Sequence, residues 1–410
     1  MQSEIRNPKV KIVIAGAGPA GTSAAIRLAQ RGFRVVLIER EKFPRHKLCG
    51  EFISPECFAH FKELNVLDKM LLAGGEPITE TVFYAPNGKS VGVPSRWFNR
   101  DESALSLSRA EMDFRLLERA KEIGVEVFEE TSVVGLLFET GAVCGVKVKN
   151  SAGEIKEITA DLTIDATGRA RILGKLAERE QLRITNYELR KVTIQNPKSK
   201  IQNRLVGFKT HLRDTEIGRG RCEIYFFRGG YGGLSAVENG VSNHCFLIRA
   251  EVVKEFNGDA ERIVREVVFQ NKRAKETMQN AAPVFDWLAV SVDGFGVKDL
   301  NPAARLLAIG DAGAFIDPFT GSGMLMALES AEILAESITQ NEFSFSQIAE
   351  NYRKLHTRKF QKRLRVCALM RRAAFVPNLT TTIISLLKLS EIPIRFLAKN
   401  TRSATAASAK

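Results

Sequence analysis

One stretch, Val10 to Glu39, constrains the fold more than any other, because its parts follow the order of a nucleotide-binding β–α–β unit. It begins with Lys11 to Ala15, a short β-branched run that predicts a buried strand of a parallel sheet. The chain then turns through three glycines in G-x-G-x-x-G spacing, Gly16, Gly18 and Gly21. A strand, this turn and a following helix together predict a site for a nucleotide pyrophosphate.

Each part of the glycine turn has its own role in such a site. Gly16 allows the tight turn, Gly18 lets the backbone approach a pyrophosphate, and Gly21 lets the helix lie close on the sheet. Pro19 and Ala20 open the helix, whose N-terminus offers free N–H groups and the positive end of the helix dipole. We therefore expect a phosphate group at this end of the helix.

A second predicted strand, Arg34 to Ile38, ends at Glu39, roughly 20 residues beyond the glycines. A carboxylate at this point can accept hydrogen bonds from an adenosine ribose, and it would repel the 2′-phosphate of NADP. Which dinucleotide the site holds has to be decided by other parts of the chain.

Length and composition limit what the rest of the chain can be. With 410 residues it exceeds the size at which single cores stop growing, so two domains are expected. The first apolar run is used by the first strand, without a secretory signal, and no window approaches about 18 uninterrupted apolar residues. The six cysteines are scattered without metal-binding spacing. We expect a cytoplasmic protein with reduced thiols and no metal.

The positive charge lies at one end of the sequence. Residues 351–410 contain 14 Lys and Arg against one acidic residue, Glu391, and so carry the whole formal charge of +13. The neutral remainder argues against a nucleic-acid-binding surface spread over the fold. Apolar residues recur at helical spacing after Tyr352, with basic flanks. This segment either packs on its own protein or makes peripheral contact with the inner face of the membrane, with Ile383 to Leu389 and Ile392 to Leu397 in the lipid interface.

Between its two ends the chain alternates predicted strands and helices. Asn87-Gly88 predicts a hairpin, and Ser108 with Glu111 forms a capping box that opens a helix. Four short segments from Val125 to Thr159 alternate like an antiparallel meander. Residues 171–294 are rich in strand patterns, with one predicted helix from Asp259 to Asn271.

Three further boxes follow the glycine turn in order: Lys47-Leu-Cys-Gly-Glu51, Asp165-Ala-Thr-Gly-Arg169, and Gly310-Asp311 with the helix after Pro318. Together with the turn they resemble the FAD-dependent oxidoreductases of the para-hydroxybenzoate hydroxylase type, and within them the geranylgeranyl-reductase-like group. The resemblance covers most of the chain. It implies an α/β fold with a Rossmann-type FAD-binding domain, a second, antiparallel-sheet substrate domain and a helical C-terminal segment.

The domains implied by this resemblance are discontinuous. Residues 1–75, 101–172 and 296–345 would form the FAD-binding domain, and residues 76–100 and 173–295 the substrate domain. Residues 346–410 would form the basic helical C-terminal segment.

The resemblance also assigns roles to single residues. The glycine turn would hold the FAD pyrophosphate, Arg109 would approach the FAD, and Asp311 would accept a hydrogen bond from the ribityl chain. The N–H groups after Pro318 would face the flavin edge where negative charge develops on reduction. The expected FAD contacts are Gly16, Gly18, Pro19, Ala20, Gly21, Glu39, Arg40, Arg45, Arg109, Asp165, Gly168, Gly310, Asp311, Pro318, Gly321, Gly323 and Met324. The candidates for the reacting site are Cys49, Gly50, Tyr225 and Tyr231. The alternative for Cys49 is a small buried side chain that only fills space.

The implied activity is that of an FAD enzyme in which NAD(P)H reduces the flavin before it acts on a small apolar, isoprenoid or polyketide-like substrate. Reductases of the group carry Tyr-x-Trp-x-Phe-Pro, where this chain reads Tyr225-Phe-Phe-Arg-Gly-Gly-Tyr231, and this departure counts against an isoprenoid substrate. The Trp-x-Trp-x-Ile-Pro element of flavin-dependent halogenases is absent, which disfavours halogenation. We favour reduction of a double bond. A monooxygenase of an aromatic or lipophilic substrate and a non-enzymatic FAD-bearing protein at a membrane surface are the alternatives.

Overall fold

The computed structural model describes residues 10–98, 103–188, 204–340, 344–375, 379–388 and 390–400. Its strands, in chain order, are β1 (Lys11–Ala15), β2 (Arg34–Ile38), β3 (Phe52–Ile53), β4 (Glu76–Ile78), β5 (Glu80–Tyr84), β6 (Ser90–Pro94), β7 (Ala104–Ser106), β8 (Glu126–Phe128), β9 (Thr131–Glu139), β10 (Ala142–Asn150), β11 (Ile155–Thr159), β12 (Leu162–Asp165), β13 (Leu205–Arg213), β14 (Arg221–Phe227), β15 (Gly230–Ala236), β16 (Ser242–Arg249), β17 (Ala282–Pro283), β18 (Leu288–Val292), β19 (Gly296–Val297), β20 (Leu306–Ala308) and β21 (Ala314–Phe315). Its α-helices are α1 (Pro19–Ala29), α2 (Cys57–Glu63), α3 (Leu67–Leu71), α4 (Arg109–Glu122), α5 (Ile172–Glu188), α6 (Ala250–Glu255), α7 (Ala260–Glu266), α8 (Lys272–Met278), α9 (Gly323–Gln340), α10 (Phe345–Ala374), α11 (Leu379–Leu387) and α12 (Glu391–Asn400).

A five-stranded parallel sheet in the order β20-β12-β1-β2-β8 forms the centre of the first domain. Its strands read as continuous apolar runs because both faces are covered. Ile12 and Ile14 of β1 pack with α1, α4 and α9, whereas Val13 and Ala15 pack with β10 and α5. The Rossmann-type arrangement predicted from the glycine turn is confirmed.

Two predictions about the first domain are wrong in detail. The segment Val125 to Phe128 was expected in the antiparallel meander, but β8 pairs in parallel with β2, because it follows the crossover helix α4. The meander therefore consists of β9, β10 and β11. Helix α5 was not predicted. Its Leu173 and Ala177 pack into the core of the first domain, so the predicted boundary at residue 173 falls within a helix of that domain.

An eight-stranded sheet forms the second domain, in the order β17-β13-β16-β15-β14-β5-β6 with β18 also paired to β13. All pairs are antiparallel except β14 with β5. The Asn87-Gly88 hairpin is confirmed, and its strands β5 and β6 bring part of residues 76–100 into this sheet. One face of the sheet packs on α6, α7 and α8. The helix predicted from Asp259 to Asn271 corresponds to α7, which ends at Glu266, and Asn271 caps α8 instead of ending that helix.

The C-terminal helix α10 is docked on the first domain. Tyr352 and Phe360 are buried in its core, and the Tyr352 hydroxyl donates to the Ala308 carbonyl at 2.9 Å. Arg363 donates to the buried Glu329 of α9 at 2.9 Å. At least one basic residue of α10, Arg363, is thus used to pack the helix on the first domain. Within the described ranges, no helix combines the length and apolarity needed to cross a membrane. Leu389 and the side chain of Leu397 lie outside the described residues.

Candidate active site

A cavity of about 1110 Å³ lies where the carboxyl ends of the parallel strands meet the second sheet and the C-terminal helices. Ligands of open α/β sheets bind at this edge. The expected FAD contacts that line the cavity are Gly16, Gly18, Pro19, Ala20, Glu39, Arg40, Arg45, Arg109, Gly168, Asp311, Pro318, Gly321, Gly323 and Met324. Of the candidates for the reacting site, Cys49, Gly50 and Tyr231 line it as well.

The glycine turn is shaped to admit a ligand at one position only. A Cβ at Gly16, whose φ is +102°, would overlap the Ala166 carbonyl oxygen, and a Cβ at Gly21 would overlap the Gly16 carbonyl oxygen. Gly16 and Gly21 are thus needed for the turn and for helix packing. A Cβ at Gly18 would meet only the Arg109 Nη2 atom, at 3.8 Å. The space beside Gly18 is therefore open to a ligand.

Glu39 is held at the edge of the turn by the backbone. Its Oε2 atom accepts from the Ala17 N–H at 2.9 Å, and its Oε1 atom accepts from the Glu41 N–H at 3.1 Å. The side chain is buried, with the Arg45 guanidinium 3.7 Å away. A carboxylate has about four acceptor sites, so these contacts leave capacity for ribose hydroxyls.

Arg45 and Arg109 share a buried carboxylate, Asp113, which the sequence reasoning missed. Arg45 donates to Asp113 at 2.6 Å, and Arg109 donates through Nε and Nη2 at 2.8 and 2.6 Å. Burial would raise the pKa of Asp113, but the two guanidiniums outweigh it and hold that pKa below its usual value. Both arginines are thereby fixed beside the glycine turn, where a pyrophosphate needs cations. The i,i+4 spacing of Arg109 and Asp113 was the available signal.

Asp311 is an acceptor that faces the cavity. It follows β20 in a turn where Gly310 has a φ of +58° and packs on Ala20 of α1. Among the described residues, none donates a hydrogen bond to the Asp311 carboxylate, and burial raises its pKa to about 6. A half-buried carboxylate that faces the cavity and has no donor among the described residues fits a polyhydroxyl chain, which is the chemistry of the ribityl group.

The turn after Asp317 supplies N–H groups at the cavity wall. The Asp317 carboxylate accepts from the Phe319 N–H at 2.9 Å, Gly321 has a φ of +60°, and α9 begins at Gly323. The first N–H groups of a helix lack acceptors within the helix. They can therefore stabilise negative charge on a reduced flavin.

Three expected FAD contacts lie behind the cavity wall rather than on it. Gly21 and Gly310 serve helix packing, as described above. The Asp165 carboxylate accepts from the N–H groups of Thr167 at 3.0 Å and Gly174 at 2.9 Å. These hydrogen bonds hold the turn that brings Gly168 to the cavity. The predicted direct contact of Asp165 with FAD is corrected to a supporting role.

The second sheet turns an apolar face toward the cavity. Alternate residues of its strands form this face: Phe83, Val91, Val93, Cys222, Ile224, Phe226, Tyr231, Leu247 and Val292. The Phe319 ring lies 5.2 Å from the Tyr231 ring and 5.7 Å from the Phe226 ring. The apolar face thus reaches the turn that follows Asp317.

Tyr225 does not face the cavity. Its side chain is fully buried in the core behind the sheet, where its hydroxyl donates to Glu223 at 2.8 Å and lies 2.9 Å from Thr277 Oγ1. Because side chains alternate along a strand, its neighbours Ile224 and Phe226 face the cavity instead. The prediction that Tyr225 lies in the reacting site is therefore wrong.

A buried ionic cluster holds the loop that carries Cys49 and Gly50. Glu51, in the left-handed region with a φ of +54°, is ion-paired with the fully buried Lys209, and its Oε2 atom lies 2.7 Å from His211 Nε2. It also accepts from the Arg109 N–H at 2.7 Å. Burial would raise the pKa of Glu51, but Lys209 and His211 lower it overall. Sequence reasoning missed Lys209 and His211, because they lie 158 and 160 residues from Glu51.

Helix α11 and the ends of α10 and α12 cover the cavity on the side of the apolar face. The residues that line it from this segment are Leu369, Met370, Thr380, Ile383, Ile384, Leu387 and Ile394. Two arginines anchor the segment: Arg371 lies 3.3 Å from Asp317, and Arg249 donates to the Phe375 carbonyl at 3.1 Å. The C-terminal segment is therefore part of the cavity wall.

One group of potential metal ligands, His60, Glu63 and Glu332, lies away from the cavity. The Arg27 guanidinium is 3.1 Å from His60 Nδ1 and 2.8 Å from Glu63. The Arg27 guanidinium therefore supplies positive charge beside two of these three side chains.

A dinucleotide with a pyrophosphate, a ribose and a polyhydroxyl chain finds a matching group at each point of the cavity, which defines the class as FAD-dependent oxidoreductases. The chain belongs to the FAD binding domain family, whose sequence profile matches residues 9–341. FAD is its cofactor, and its relatives are FAD-dependent enzymes.

Curated relatives fall into two groups. The chain is 27% identical over 360 residues to digeranylgeranylglycerophospholipid reductase 2 of Methanopyrus kandleri, covering 82% of this chain and 79% of that protein. It is also 27% identical over 356 residues to the flavin-dependent halogenase armH3 of Armillaria mellea, covering 80% and 68%. Because both reductases and halogenases are similar to this chain, these relatives do not decide which reaction it catalyses.

Solved structures share the fold. The flavin-dependent brominase Bmp2 has a TM-score of 0.75 at 17% identity, covering 95% of this chain and 93% of that one. A geranylgeranyl bacteriochlorophyll reductase-like protein from Thermoplasma acidophilum has a TM-score of 0.70 at 18% identity, covering 97% and 94%. The predicted three-part architecture is confirmed by these neighbours.

Proposed function

We propose that this protein is a reductase that uses NAD(P)H and adds two hydrogens across a carbon–carbon double bond of a largely apolar, isoprenoid or polyketide-like substrate. Bound FAD supplies the hydride chemistry, while the protein orients the substrate and excludes water. The digeranylgeranylglycerophospholipid reductases among the relatives support this substrate class.

The observation that carries the proposal is the apolar face of the second sheet. Phe83, Ile224 and Phe226 line the cavity, and the inner side of α11 adds Ile383 and Ile384. A site with these walls gains free energy by burying hydrocarbon, and it has few groups that could bind a polar substrate. The aromatic contacts of Phe319 continue this surface up to the flavin-binding turn.

Adding a hydride to one carbon of a double bond requires a proton for the other, and of the predicted reacting-site residues, Tyr231 and Cys49 line the cavity and could supply it. The Tyr231 hydroxyl donates to Asp317 at 2.6 Å, and burial together with Asp317 holds the pKa of Tyr231 well above its ordinary value. Tyr231 therefore keeps its proton and positions the turn. Cys49 Sγ accepts a hydrogen bond from the Glu51 N–H at 3.4 Å and lines the cavity. We assign the proton-donating position to Cys49.

Cys49→Ala is expected to lower turnover about tenfold or more, a barrier change of roughly 1.4 kcal/mol, while FAD content stays normal. The matched control is Cys245→Ala, which removes a second thiol from the same cavity wall and should leave turnover within a few fold. Turnover and flavin absorbance of the purified variants are the measurements. Equal losses of FAD and turnover in Cys49→Ala would mean that the loop had misfolded and would remove the assignment.

The reaction is tested by mixing the anaerobic holoenzyme with NADH or NADPH, following flavin bleaching, and then adding digeranylgeranylglycerophospholipid. We expect bleaching by at least one coenzyme and a product that has gained two hydrogens, detected by mass spectrometry. A product with one added oxygen after air is admitted would establish the monooxygenase alternative, which the halogenase relatives support. Flavin that neither coenzyme bleaches, together with no product after dithionite reduction, would favour the non-enzymatic alternative.

A further inference from the structure

We propose that the outer side of α11 and α12 binds the surface of an anionic phospholipid bilayer, so that apolar substrate passes from the lipid into the cavity beside Leu369. The substrate route rests on the proposed function, whereas the bilayer contact can be tested without turnover.

Both helices are apolar on two sides, which a helix that merely covers its own protein does not need. The inner side of α11 lines the cavity through Ile383, Ile384 and Leu387. Its outer side exposes Leu386 at 59%, and α12 exposes Ile392 at 78%. Helices α11 and α12 contact each other, and large exposed apolar side chains on such a pair mark an interaction surface rather than ordinary scatter.

Leu369 marks the mouth of the cavity on this surface. It lines the cavity and is nevertheless 69% exposed, so it bridges the interior and the outside. Ile394 of α12, by contrast, is buried and also lines the cavity. The apolar lining thus continues from the sheet face through these residues to the exposed side of the C-terminal helices. A hydrocarbon chain could follow this path without crossing a polar surface.

The positive charge of the same surface favours an anionic bilayer as its partner. Lys388, at the end of α11, and Arg395 of α12 are exposed beside the apolar residues, and no acidic residue among the described residues pairs with either. Residues 351–410 carry the whole charge excess of the chain, with Glu391 as their one acidic residue. Exposed apolar side chains flanked by cations match the interface of an anionic bilayer.

The test is co-sedimentation of the full-length holoenzyme with vesicles of phosphatidylglycerol and phosphatidylcholine, or of phosphatidylcholine alone. We expect binding to the anionic vesicles at low salt, little binding to the zwitterionic ones, and weakening by salt. The variant Leu386→Asp/Ile392→Asp should bind about tenfold less. Its matched control is Leu72→Asp/Leu182→Asp, which changes two exposed leucines of the first domain. Leu72 lies directly after α3 and Leu182 lies on α5, and this variant should bind normally.

The charge contribution has its own pair of variants. Lys388→Gln/Arg395→Gln should lower binding about tenfold, whereas Lys254→Gln/Arg265→Gln, on α6 and α7 behind the opposite face of the sheet, should not. Full-length protein that stays in the supernatant with anionic vesicles at low salt would overturn the proposal. So would equal losses in target and control variants, or a dimer without lipid that Leu386→Asp/Ile392→Asp dissociates. Turnover of detergent-dispersed substrate should be unchanged in the target variants, which separates this proposal from the proposed reaction.

Discussion

Replacing Gly18 with valine is expected to give a folded protein that purifies without FAD. The protein itself has room for the side chain, since a Cβ there would meet only Arg109 Nη2 at 3.8 Å and the backbone has an ordinary φ of −73°. The same space is where the pyrophosphate must approach the turn, so the side chain and the cofactor exclude each other. We expect FAD affinity to fall by far more than tenfold, which corresponds to more than about 1.4 kcal/mol.

Flavin absorbance per protein measures the loss of FAD, and the circular dichroism spectrum shows whether the variant is folded. Gly16→Val is the contrasting variant, because its side chain would overlap the Ala166 carbonyl oxygen and should impair folding itself. Gly218→Val is the matched control, since Gly218 does not line the cavity and a Cβ there would meet only the Arg221 side chain, at 3.4 Å. A yellow Gly18→Val protein with normal flavin content would contradict the assignment of the turn.

Lys209→Met is expected to destabilise the protein by about 3 kcal/mol or more, because it leaves the fully buried Glu51 without its main cation. The double variant Glu51→Gln/Lys209→Met should lose less than the sum of the two single losses, since it removes the charge along with its partner. Chemical unfolding at constant pH measures these differences. The exposed Lys254→Met is the control and should stay within about 0.5 kcal/mol of the parent.

The sign of the pH dependence follows from the direction of the Glu51 pKa. In the parent protein this pKa is lowered, so Glu51 contributes stability above the ordinary carboxylate pKa and loses it as the pH falls below that value. Without Lys209, burial raises the pKa of Glu51, and the charged form becomes the costly one. The stability gap between parent and Lys209→Met should therefore narrow as the pH falls from 7 toward about 5. A gap that is small at pH 7, or that widens on acidification, would mean that the ion pair has no such role.

Predictions from the sequence succeeded where neighbours in the chain determine the structure. The turn through Gly16, Gly18 and Gly21, the Asn87-Gly88 hairpin and the Ser108 cap each depend on backbone conformation and hydrogen bonds within a few residues. The parallel sheet followed from the same local signals, because a strand, a crossover helix and a second strand have one favoured handedness. A cavity-facing Glu39 could be predicted for this reason.

Predictions failed where the local sequence pattern was compatible with two different structures. The segment at Val125 to Phe128 fits an antiparallel or a parallel strand, and the preceding crossover helix decided for the parallel sheet. Tyr225 was placed in the cavity, although the alternation along β14 does not say which set of side chains faces which side. Packing of α6, α7 and α8 on one face of the sheet sends Tyr225 inward and Ile224 and Phe226 to the cavity.

The sequence by itself determined the glycine turn, the acidic end of the second strand and the location of the excess charge, since each is a property of adjacent residues. Only the tertiary structure decided that Lys209 and His211 hold Glu51, that Asp113 joins Arg45 to Arg109, and that α11 closes the cavity. Apart from the i,i+4 pair of Arg109 with Asp113, these contacts join residues from distant parts of the chain, and several of them are buried charges that are stable only with their partners. Periodicity in the sequence does not reveal the distant pairs, because their free energy arises only after the segments that carry them have packed together.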